Sequence, residues 1–180
     1  MAGNDPVLII TGPPGAGKTT TARALANRQD RAVHLESDRF FHFIEAGYIE
    51  PWKPESHQQN TVVMSIVAQA AAAYADAGYF TIIDGIVSPR WFLEPLRDRL
   101  QGSGHAVACA VLRPSLPVCL DRAAGRPSRP LADPAVIEQL WRDFAELGHL
   151  ERHVIEGDGC SAEETADALA RRPADALLLA

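Results

Sequence analysis

The sequence contains little of what marks secreted or membrane-spanning proteins. Its 180 residues include only three cysteines, Cys109, Cys119 and Cys160, whose odd number and wide spacing fit neither a disulfide framework nor a zinc site. Its longest apolar runs, such as Ala106–Leu112, are far shorter than the roughly 18 residues of a membrane-spanning helix. The first residues lack a positive segment followed by an apolar one, so no secretory signal is predicted. We therefore expect a cytoplasmic protein with reduced thiols and no membrane segment.

Positive charge is also scarce. The chain has 17 Lys and Arg residues against 23 Asp and Glu residues, a formal net charge of −6, and its only lysines are Lys18 and Lys53. Proteins that follow a polyanion usually present a broad basic surface. Nucleic acid is therefore not expected as a partner, and any bound anion should occupy a local site. The length fits one domain over residues 1–180 and leaves open whether the protein is a monomer or a homodimer.

Apolar runs alternate with helical patterns along the chain. Strands are predicted at Val7–Thr11, Ala32–Glu36, Phe80–Ile83, His105–Leu112 and His153–Ile155. Helices are predicted at Lys18–Arg28, Asn60–Ala77, Pro89–Leu100, Ser115–Arg122, Pro134–Leu147 and, after a capping box at Ser161, up to about Arg171. Apolar strands separated by helices indicate an α/β fold whose parallel sheet is covered by helices on both faces. Ligands bind such sheets at the carboxyl ends of the strands.

The segment after the first strand matches the phosphate-binding pattern G-x-x-x-x-G-K-[ST]. It stands between a predicted strand and a predicted helix, which is the context that this pattern requires. Glycines let the backbone curl so that its N–H groups point at phosphate oxygens, and the helix N-terminus adds partial positive charge. Lys18 can reach the terminal phosphates, and the Thr19 hydroxyl can ligate Mg²⁺. We assign ATP binding to Gly12, Pro13, Pro14, Gly15, Ala16, Gly17, Lys18, Thr19 and Thr20. The alternative is a chance glycine turn before a helix.

Asp38 directly follows the second predicted strand. A carboxylate at that strand end, beside the phosphate loop, can accept the proton of an acceptor hydroxyl as the hydroxyl attacks the γ-phosphate. We interpret Asp38 as this base and as a contact to the acceptor. Two alternatives stay open: Glu36 as the base, and Asp38 as an N-cap of segment 40–44.

Asp84 ends the third predicted strand and precedes Gly85. An apolar strand that ends in Asp is typical of the carboxylate that holds Mg²⁺ in phosphoryl-transfer enzymes. Asp84 is therefore predicted to contact either Mg²⁺ or the acceptor. The alternative is a turn residue that stabilises the chain locally.

Residues 123–133 are rich in Gly, Pro and Arg and are predicted to form a mobile lid. Guanidinium groups over the phosphates would neutralise charge that spreads in the transition state. Arg126 and Arg129 are assigned this catalytic role, with Arg126 preferred, while Arg122 is placed at the nucleotide, near the adenine. Arg113 is a less favoured phosphate contact. The alternative is a solvated basic loop that pairs with neighbouring aspartates.

The segment that begins at Asp38 is rich in aromatic residues. Five of the twelve Phe, Tyr and Trp residues of the chain lie between positions 40 and 52. Aromatic walls with a few polar groups are typical of small-molecule pockets. We predict that residues 38–60 bind the acceptor, with contacts from Phe41, Tyr48 and Trp52 besides those from Asp38 and Asp84. The alternative is that the aromatic side chains fill the core beneath a loop.

These motifs together resemble the P-loop kinases of the nucleoside-monophosphate-kinase-like group. The resemblance is carried by the phosphate loop with the preceding Ile9-Ile10-Thr11, by Glu36-Ser37-Asp38, by Ile82-Ile83-Asp84 and by the lid arginines. The chain looks most like the gluconate-kinase-like, chloramphenicol-phosphotransferase-like and zeta-toxin-like branch of small phosphotransferases.

The resemblance implies a three-layer P-loop kinase fold whose five parallel strands have the order 2-3-1-4-5. It also implies ATP, Mg²⁺ and transfer of the γ-phosphoryl group to a bound small molecule, with Asp38 as the base and Arg122, Arg126 and Arg129 around the phosphates. The loop Gly157-Asp158-Gly159 is implied to lie near the adenine.

Three functions remain open at the level of sequence. The first is an ATP-dependent kinase for a hydroxyl of a small metabolite or antibiotic. The second is a nucleotide or polynucleotide 5′-hydroxyl kinase, which shares the Asp38-type base and the arginine lid, although the net charge of −6 counts against a long nucleic-acid track. The third is a nucleotide-dependent regulatory or toxin-like module that acts through a protein partner.

Overall fold

The computed structural model describes residues 5–125 and 133–180. Five strands in these ranges form one sheet: β1 (Val7–Thr11), β2 (Ala32–Glu36), β3 (Phe80–Asp84), β4 (Val107–Leu112) and β5 (Val154–Ile155). Every pair of neighbouring strands is parallel, and the order is β2-β3-β1-β4-β5. The predicted order is thus confirmed, and all strands end at the same edge of the sheet.

Seven helices connect and cover the described strands. They are α1 (Lys18–Ala26), α2 (Ser37–Phe41), α3 (His57–Asp76), α4 (Leu93–Gly102), α5 (Leu116–Ala124), α6 (Pro134–Arg142) and α7 (Ala162–Ala170). Short 3-10 turns precede α3 and β5 and follow α7. None of the helices within the described ranges is long and apolar enough to cross a lipid bilayer.

The sheet is buried on both faces because its side chains alternate between two cores. Ile9 and Ile83 are fully buried on the side covered by α3 and α4. Ile10 and Ile82, one position along, are fully buried on the side covered by α1 and α7. Apolar residues at consecutive positions are what a parallel sheet between two helical layers requires, and the predicted helices on both faces are confirmed.

Helix α3 begins at His57, three residues before the predicted start at Asn60. A 3-10 turn at Pro54–Ser56 leads directly into it, and a proline at the first position of a turn has its backbone angle already set for a helix. Asn60 is therefore an interior helical residue, 2% exposed, and the N-cap position is Ser56.

Helix α4 begins at Leu93 rather than at Pro89. The amide of Ser88 donates to the carbonyl of Trp91 at 3.0 Å, and the amide of Trp91 donates to the carbonyl of Ser88 at 2.8 Å. Phe92 then adopts a left-handed backbone conformation with φ 59°, which a bulky residue takes only where its surroundings hold it. Pro89 therefore lies in a closed turn between β3 and α4.

Two other helix ends also differ from the prediction. Helix α5 continues to Ala124, two residues into the predicted lid at 123–133, and α6 ends at Arg142 instead of Leu147. The capping box of Ser161 with Glu164 is present, as predicted. The Asp133 side chain caps α6 by accepting a hydrogen bond from the amide of Ala135.

The turn after β1 passes very close to the neighbouring strand. Gly12 has φ 143°, and a Cβ atom there would collide with the carbonyl oxygen of Leu112 at the end of β4. Only glycine avoids both the unfavourable backbone angle and the collision.

We expect Gly12→Ala to lower the free energy of unfolding by about 3 kcal/mol, because the new methyl group forces β1 and β4 apart at the site. Urea denaturation measures this loss. The control is Gly102→Ala at the end of α4, where no atom lies within 4 Å of the added Cβ. That variant should keep or raise the stability by up to about 1 kcal/mol, and equal losses in the two variants would contradict the close approach.

Thiol reactivity should separate the three cysteines. Burial raises the pKa of Cys109 in β4 to about 12 and that of Cys119 in α5 to about 11, whereas Cys160 is exposed. Alkylating reagents attack the thiolate, so mass spectrometry of the native protein treated with iodoacetamide at pH 8 should find one modified cysteine. Cys160→Ser should abolish this labelling; rapid modification of Cys109 would show that the core is not closed.

Candidate functional site

The predicted phosphate loop joins β1 to α1. Gly15 and Gly17 have positive φ angles of 80° and 92°, like Gly12 before them. A Cβ atom at Gly15 would collide with the carbonyl of Cys119 in α5, so the loop lies directly against that helix. The loop is therefore curled between β4 and α5, and only glycine fits at positions 12 and 15.

The side chain of Lys18 folds back over the phosphate loop. Lys18 Nζ donates to the carbonyl oxygens of Gly12 at 2.8 Å and of Pro13 at 2.9 Å. Thr19 is half-buried in the first turn of α1, and Thr20 is exposed beside it. The first amides of a helix have no partner within the helix and carry its partial positive charge. Ammonium group, amides and hydroxyl together form a site suited to an anion.

Arg122 connects this loop to the segment after β5. Its Nη2 donates to the carbonyl oxygens of Gly157 at 3.5 Å and Cys160 at 3.3 Å. Its Nη1 lies 4.0 Å from the position of a Cβ at Gly17. The structure thus brings Arg122 and the predicted adenine loop together at one side of the phosphate loop.

The other predicted arginines divide into two groups. Arg113 forms an ion pair with Glu151 at 2.9 Å and donates to the carbonyl of Phe144 at 3.1 Å, so it braces the chain between α6 and β5. Arg126 and Arg129 lie outside the described residues.

Asp84 is buried at the end of β3, where its Oδ2 lies 2.6 Å from Nε2 of His34 in β2. In the sheet Asp84 pairs with Ile10, whose side chain packs towards α1. Paired residues of a parallel sheet face the same side. The Asp84 carboxylate therefore lies on the face of the sheet that is covered by α1, the helix that follows the phosphate loop. The hydrogen bond to His34 orients this carboxylate.

Asp38 lies in the first turn of α2, and the N-cap position is held by Glu36, whose side chain makes no capping hydrogen bond. The alternative that Asp38 is an N-cap is therefore wrong. Glu36 Oε1 accepts from Arg39 at 3.0 Å and from Arg23 at 3.4 Å, which makes it part of an ion-pair cluster. Asp38, by contrast, lines a cavity.

The cavity has a volume of about 280 Å³, near the lower end of the range of small-molecule pockets. Three parts of the chain line it: the predicted acceptor segment, the loop after β3 and helix α6 with its end. The apolar lining consists of Phe41, Pro51, Trp52, Pro54, Ile86, Trp91 and Leu140. The polar lining consists of Asp38, Lys53, Ser56, His57, Asn60, Ser88, Gln139 and Asp143.

One pair of hydrogen bonds connects the cavity to the phosphate loop. Thr11 Oγ1, at the end of β1, donates to the carbonyl of Val87 at 2.6 Å and accepts from the amide of Val87 at 2.9 Å. Val87 stands between Ile86 and Ser88, which both line the cavity. Thr11 immediately precedes Gly12, so the cavity wall and the phosphate loop are fixed to each other.

Asn60 holds the acceptor segment in place. Its Nδ2 donates to the carbonyl of Pro51 at 2.8 Å and to Ser56 Oγ at 2.8 Å. Among the residues that the structure describes, Asn60 Oδ1 and Ser88 Oγ are buried in the cavity lining without a hydrogen-bond partner.

Only some of the residues predicted to contact the acceptor line this cavity. Phe41 and Trp52 line the cavity with Asp38, whereas Tyr48 is 41% exposed and outside its lining. Partial burial and the nearby charges of Glu50 and Asp38 raise the pKa of the Tyr48 phenol, so this residue lies near the rim. Asp84 is absent from the cavity lining as well.

Three lining residues were missed from the sequence: Gln139, Leu140 and Asp143. Burial raises the pKa of the Asp143 carboxyl, and the nearby Arg90 opposes this shift. The spacing of Gln139 and Asp143, four residues apart at the end of a predicted helix, was the only local signal for a shared face.

Comparison with known proteins agrees with this architecture. Residues 7–147 match the model of the AAA domain family AAA_33. Tat-binding homolog 7 of Caenorhabditis briggsae is 33% identical over 105 residues, which are 58% of this chain but 7% of that protein. The chain therefore corresponds to a small part of that relative.

Two solved structures share the whole fold. The tunicamycin resistance protein of Deinococcus radiodurans superposes with a TM-score of 0.71 at 21% identity, covering 92% of this chain and 94% of that one. A sugar kinase from a Janibacter species superposes with a TM-score of 0.65 at 23% identity, covering 91% of each chain. The expected P-loop kinase fold of the nucleoside-monophosphate-kinase-like group is confirmed, and the chain belongs to the AAA domain family AAA_33.

Proposed function

We propose that this protein transfers the γ-phosphoryl group of ATP to a hydroxyl group of a small molecule in the cytoplasm. The observation that carries the proposal is the Thr11–Val87 contact, which fixes a cavity containing Asp38 to the start of the phosphate loop. Phosphoryl transfer depends mainly on positioning and on neutralising charge. The Thr11–Val87 contact supports the positioning, and Lys18 with the amides of the loop supports the neutralisation.

The nucleotide would be held by residues 12–20, with the amides and Lys18 on the phosphates and Arg122 towards the adenine side. The acceptor would occupy the cavity with its hydroxyl next to Asp38. In the transfer, the hydroxyl oxygen forms a bond to the γ-phosphorus and the bond to the β,γ-bridging oxygen breaks. Asp38 takes the hydroxyl proton, and ADP leaves.

The oxygen donors near the loop fit Mg²⁺. Thr19 offers a hydroxyl and Asp84 a carboxylate oriented by His34, and hard oxygen ligands shared with phosphates are what this ion prefers. Within the described ranges no group of three or more His, Cys, Asp or Glu side chains is arranged to hold a metal ion, which suits an ion bound mainly through the phosphates. Bound Mg²⁺ would neutralise negative charge on the β- and γ-phosphates.

The size of the cavity favours a metabolite or an antibiotic over a polynucleotide as the acceptor. A volume of about 280 Å³ accommodates a small molecule, and the net charge of −6 opposes binding of a phosphate chain. Among the described residues we find no comparable feature that supports a polynucleotide kinase or a regulatory module.

The base is tested by Asp38→Asn, which keeps the shape of the side chain but cannot take a proton. We expect transfer to fall by about 10²–10⁴-fold, while nucleotide affinity stays within about twofold because the phosphate loop is unchanged. Wild-type protein is first incubated with ATP·Mg and pools of sugars, sugar acids, nucleosides and antibiotics, and mass spectrometry identifies the product that gains a phosphate.

The matched control is Asp30→Asn, the same chemical change at an exposed position away from the cavity. It should transfer phosphate at the wild-type rate. Full activity of Asp38→Asn on the identified acceptor would remove Asp38 from the role of base.

The nucleotide site is tested by Lys18→Ala. Loss of a charge-assisted contact to phosphate should weaken ATP binding by about tenfold or more, measured by titration with a fluorescent ATP analogue. Lys53→Ala removes the only other lysine of the sequence and should leave this affinity within about twofold. Equal affinities for wild type and Lys18→Ala would contradict the assigned loop.

A further inference from the structure

Helix α3 differs from the other long helices in its charge. From His57 to Ala75 it contains no Asp, Glu, Lys or Arg, and Asp76 at its end is the first such residue. Each of the described helices of nine or ten residues contains at least two. A helix on the surface of a globular protein normally places charged side chains on its solvent face. The solvent face of α3 is therefore suited to contact with another protein surface.

This solvent face carries a largely apolar line of side chains. Val62, Ile66, Gln69 and Ala73 are all exposed, and their spacings of four, three and four residues place them along one side of the helix. We call these four residues the α3 stripe. Val62 is 55% exposed and Ile66 is 48% exposed, and both also line a groove of about 470 Å³ beside the helix. Alternating spacings of three and four are the pattern by which one helix packs along another.

The far wall of the groove comes from the predicted acceptor segment and consists of Phe40, Phe43, Ile44 and Ile49. Phe43 is 76% exposed, and its ring packs edge-on against that of Phe40 with 6.0 Å between the ring centroids. Gln59 of α3 holds this wall, because its Nε2 donates to the carbonyl of Ile49 at 2.6 Å and its Oε1 accepts from the amide of Ile49 at 2.9 Å. The groove is thus formed in advance, which lowers the entropy cost of filling it.

The charge of this surface favours a second copy of the chain as its occupant. Two copies related by a two-fold axis bring the same patch together, so each charge in the patch would meet a copy of itself. The α3 stripe carries no charge, and among the described residues that line the groove only Glu55 does, at the N-terminal end of the helix. A partner with a basic or acidic surface would find no counterpart along the stripe.

An antiparallel arrangement of the two α3 helices matches the order of side chains in the stripe. Val62 of each copy then faces Ile66 of the other, and Gln69 lies further from the two-fold axis. The positive end of one helix lies beside the negative end of the other, which is electrostatically favourable. An apolar centre with a polar rim is the usual composition of a protein–protein interface.

The area is sufficient for a reversible dimer. Helix α3 has 20 residues and is therefore about 30 Å long. With the groove wall packed beside it, the surface is about 20 Å wide. Its footprint is on the order of 600 Å² per copy, or about 1,200 Å² for the pair, which exceeds the roughly 1,000 Å² of a specific interface and falls short of most permanent dimers.

We propose that the protein forms a homodimer in which the two α3 helices pack antiparallel along their stripes. The second copy fills the groove and contacts Phe43, so the acceptor segment of each copy is held between its own α3 and the other copy. Phe41, in the same short helix as Phe40, lines the cavity beside Asp38. The dimer therefore restrains one wall of the proposed acceptor pocket, and its formation does not depend on phosphoryl transfer.

Sedimentation velocity of the full chain tests the dimer. Between about 1 and 200 µM the mass should rise from the 19.5 kDa of one chain towards twice that value. Ile66→Lys places a charge at the centre of the interface and should raise the dissociation constant by about tenfold or more. The matched control is Ala170→Lys, an exposed position of α7 on the opposite face of the sheet, which should leave the constant unchanged. A wild-type chain that stays monomeric throughout, or equal effects of the two variants, overturns the proposal.

A second substitution tests the antiparallel arrangement. Val62→Glu combined with Ile66→Lys places opposite charges at facing positions of an antiparallel pair, so the double variant should dimerise about fivefold more tightly than Ile66→Lys alone. In a parallel pair each substituted position would face its own copy, and like charges would prevent this recovery. Far-UV circular dichroism and titration with a fluorescent ATP analogue verify that every variant is folded. A folded double variant without recovered affinity overturns the antiparallel pairing.

Discussion

The two hydrogen bonds between Thr11 and Val87 hold the functional half of the molecule together. The Thr11 hydroxyl donates to the carbonyl and accepts from the amide of the same residue, Val87, and Thr11 is 1% exposed to solvent. On one side of this contact the chain turns into the phosphate loop, and on the other it forms the wall that contains Ile86 and Ser88. A phosphate and an acceptor bound at the two places would therefore be positioned by one buried side chain rather than by two independent loops.

Much of the fold could be predicted because short sequence patterns determine it. The phosphate loop needs glycines at fixed spacing, and the strands needed only uninterrupted apolar runs, so the fold and the places of Lys18, Asp38 and Asp84 followed. The predicted helix starts were wrong where the backbone departs from regular structure. The closed turn at Ser88 and Trp91 places the start of α4 later than predicted, and the 3-10 turn at Pro54–Ser56 places the start of α3 earlier.

The missed part of the site has a different cause. Gln139 and Asp143 reach the cavity through the packing of α6 on α5 and on the central core, and no pattern within 134–147 shows which face meets a ligand. Asn60 falls within the predicted segment 38–60, but its contacts to Pro51 and Ser56 could not be predicted from the sequence. Tyr48 was predicted because its segment is rich in aromatic residues. Such a composition does not show whether a side chain lines a cavity or lies at its rim.

The stretch between α2 and α3, residues 42–56, belongs to the predicted acceptor segment. Hydrogen bonds of Gln59 to the backbone of Ile49, of Ser56 to the carbonyls of Pro51 and Lys53, and of Asn60 to Pro51 all tie it to the start of α3. The phosphate loop has separate contacts, to β4 at Gly12 and to α5 at Gly15. Under the proposed function, a change in the length of this stretch would therefore reshape the acceptor pocket and leave the nucleotide site in place, so that the two specificities can be engineered one at a time.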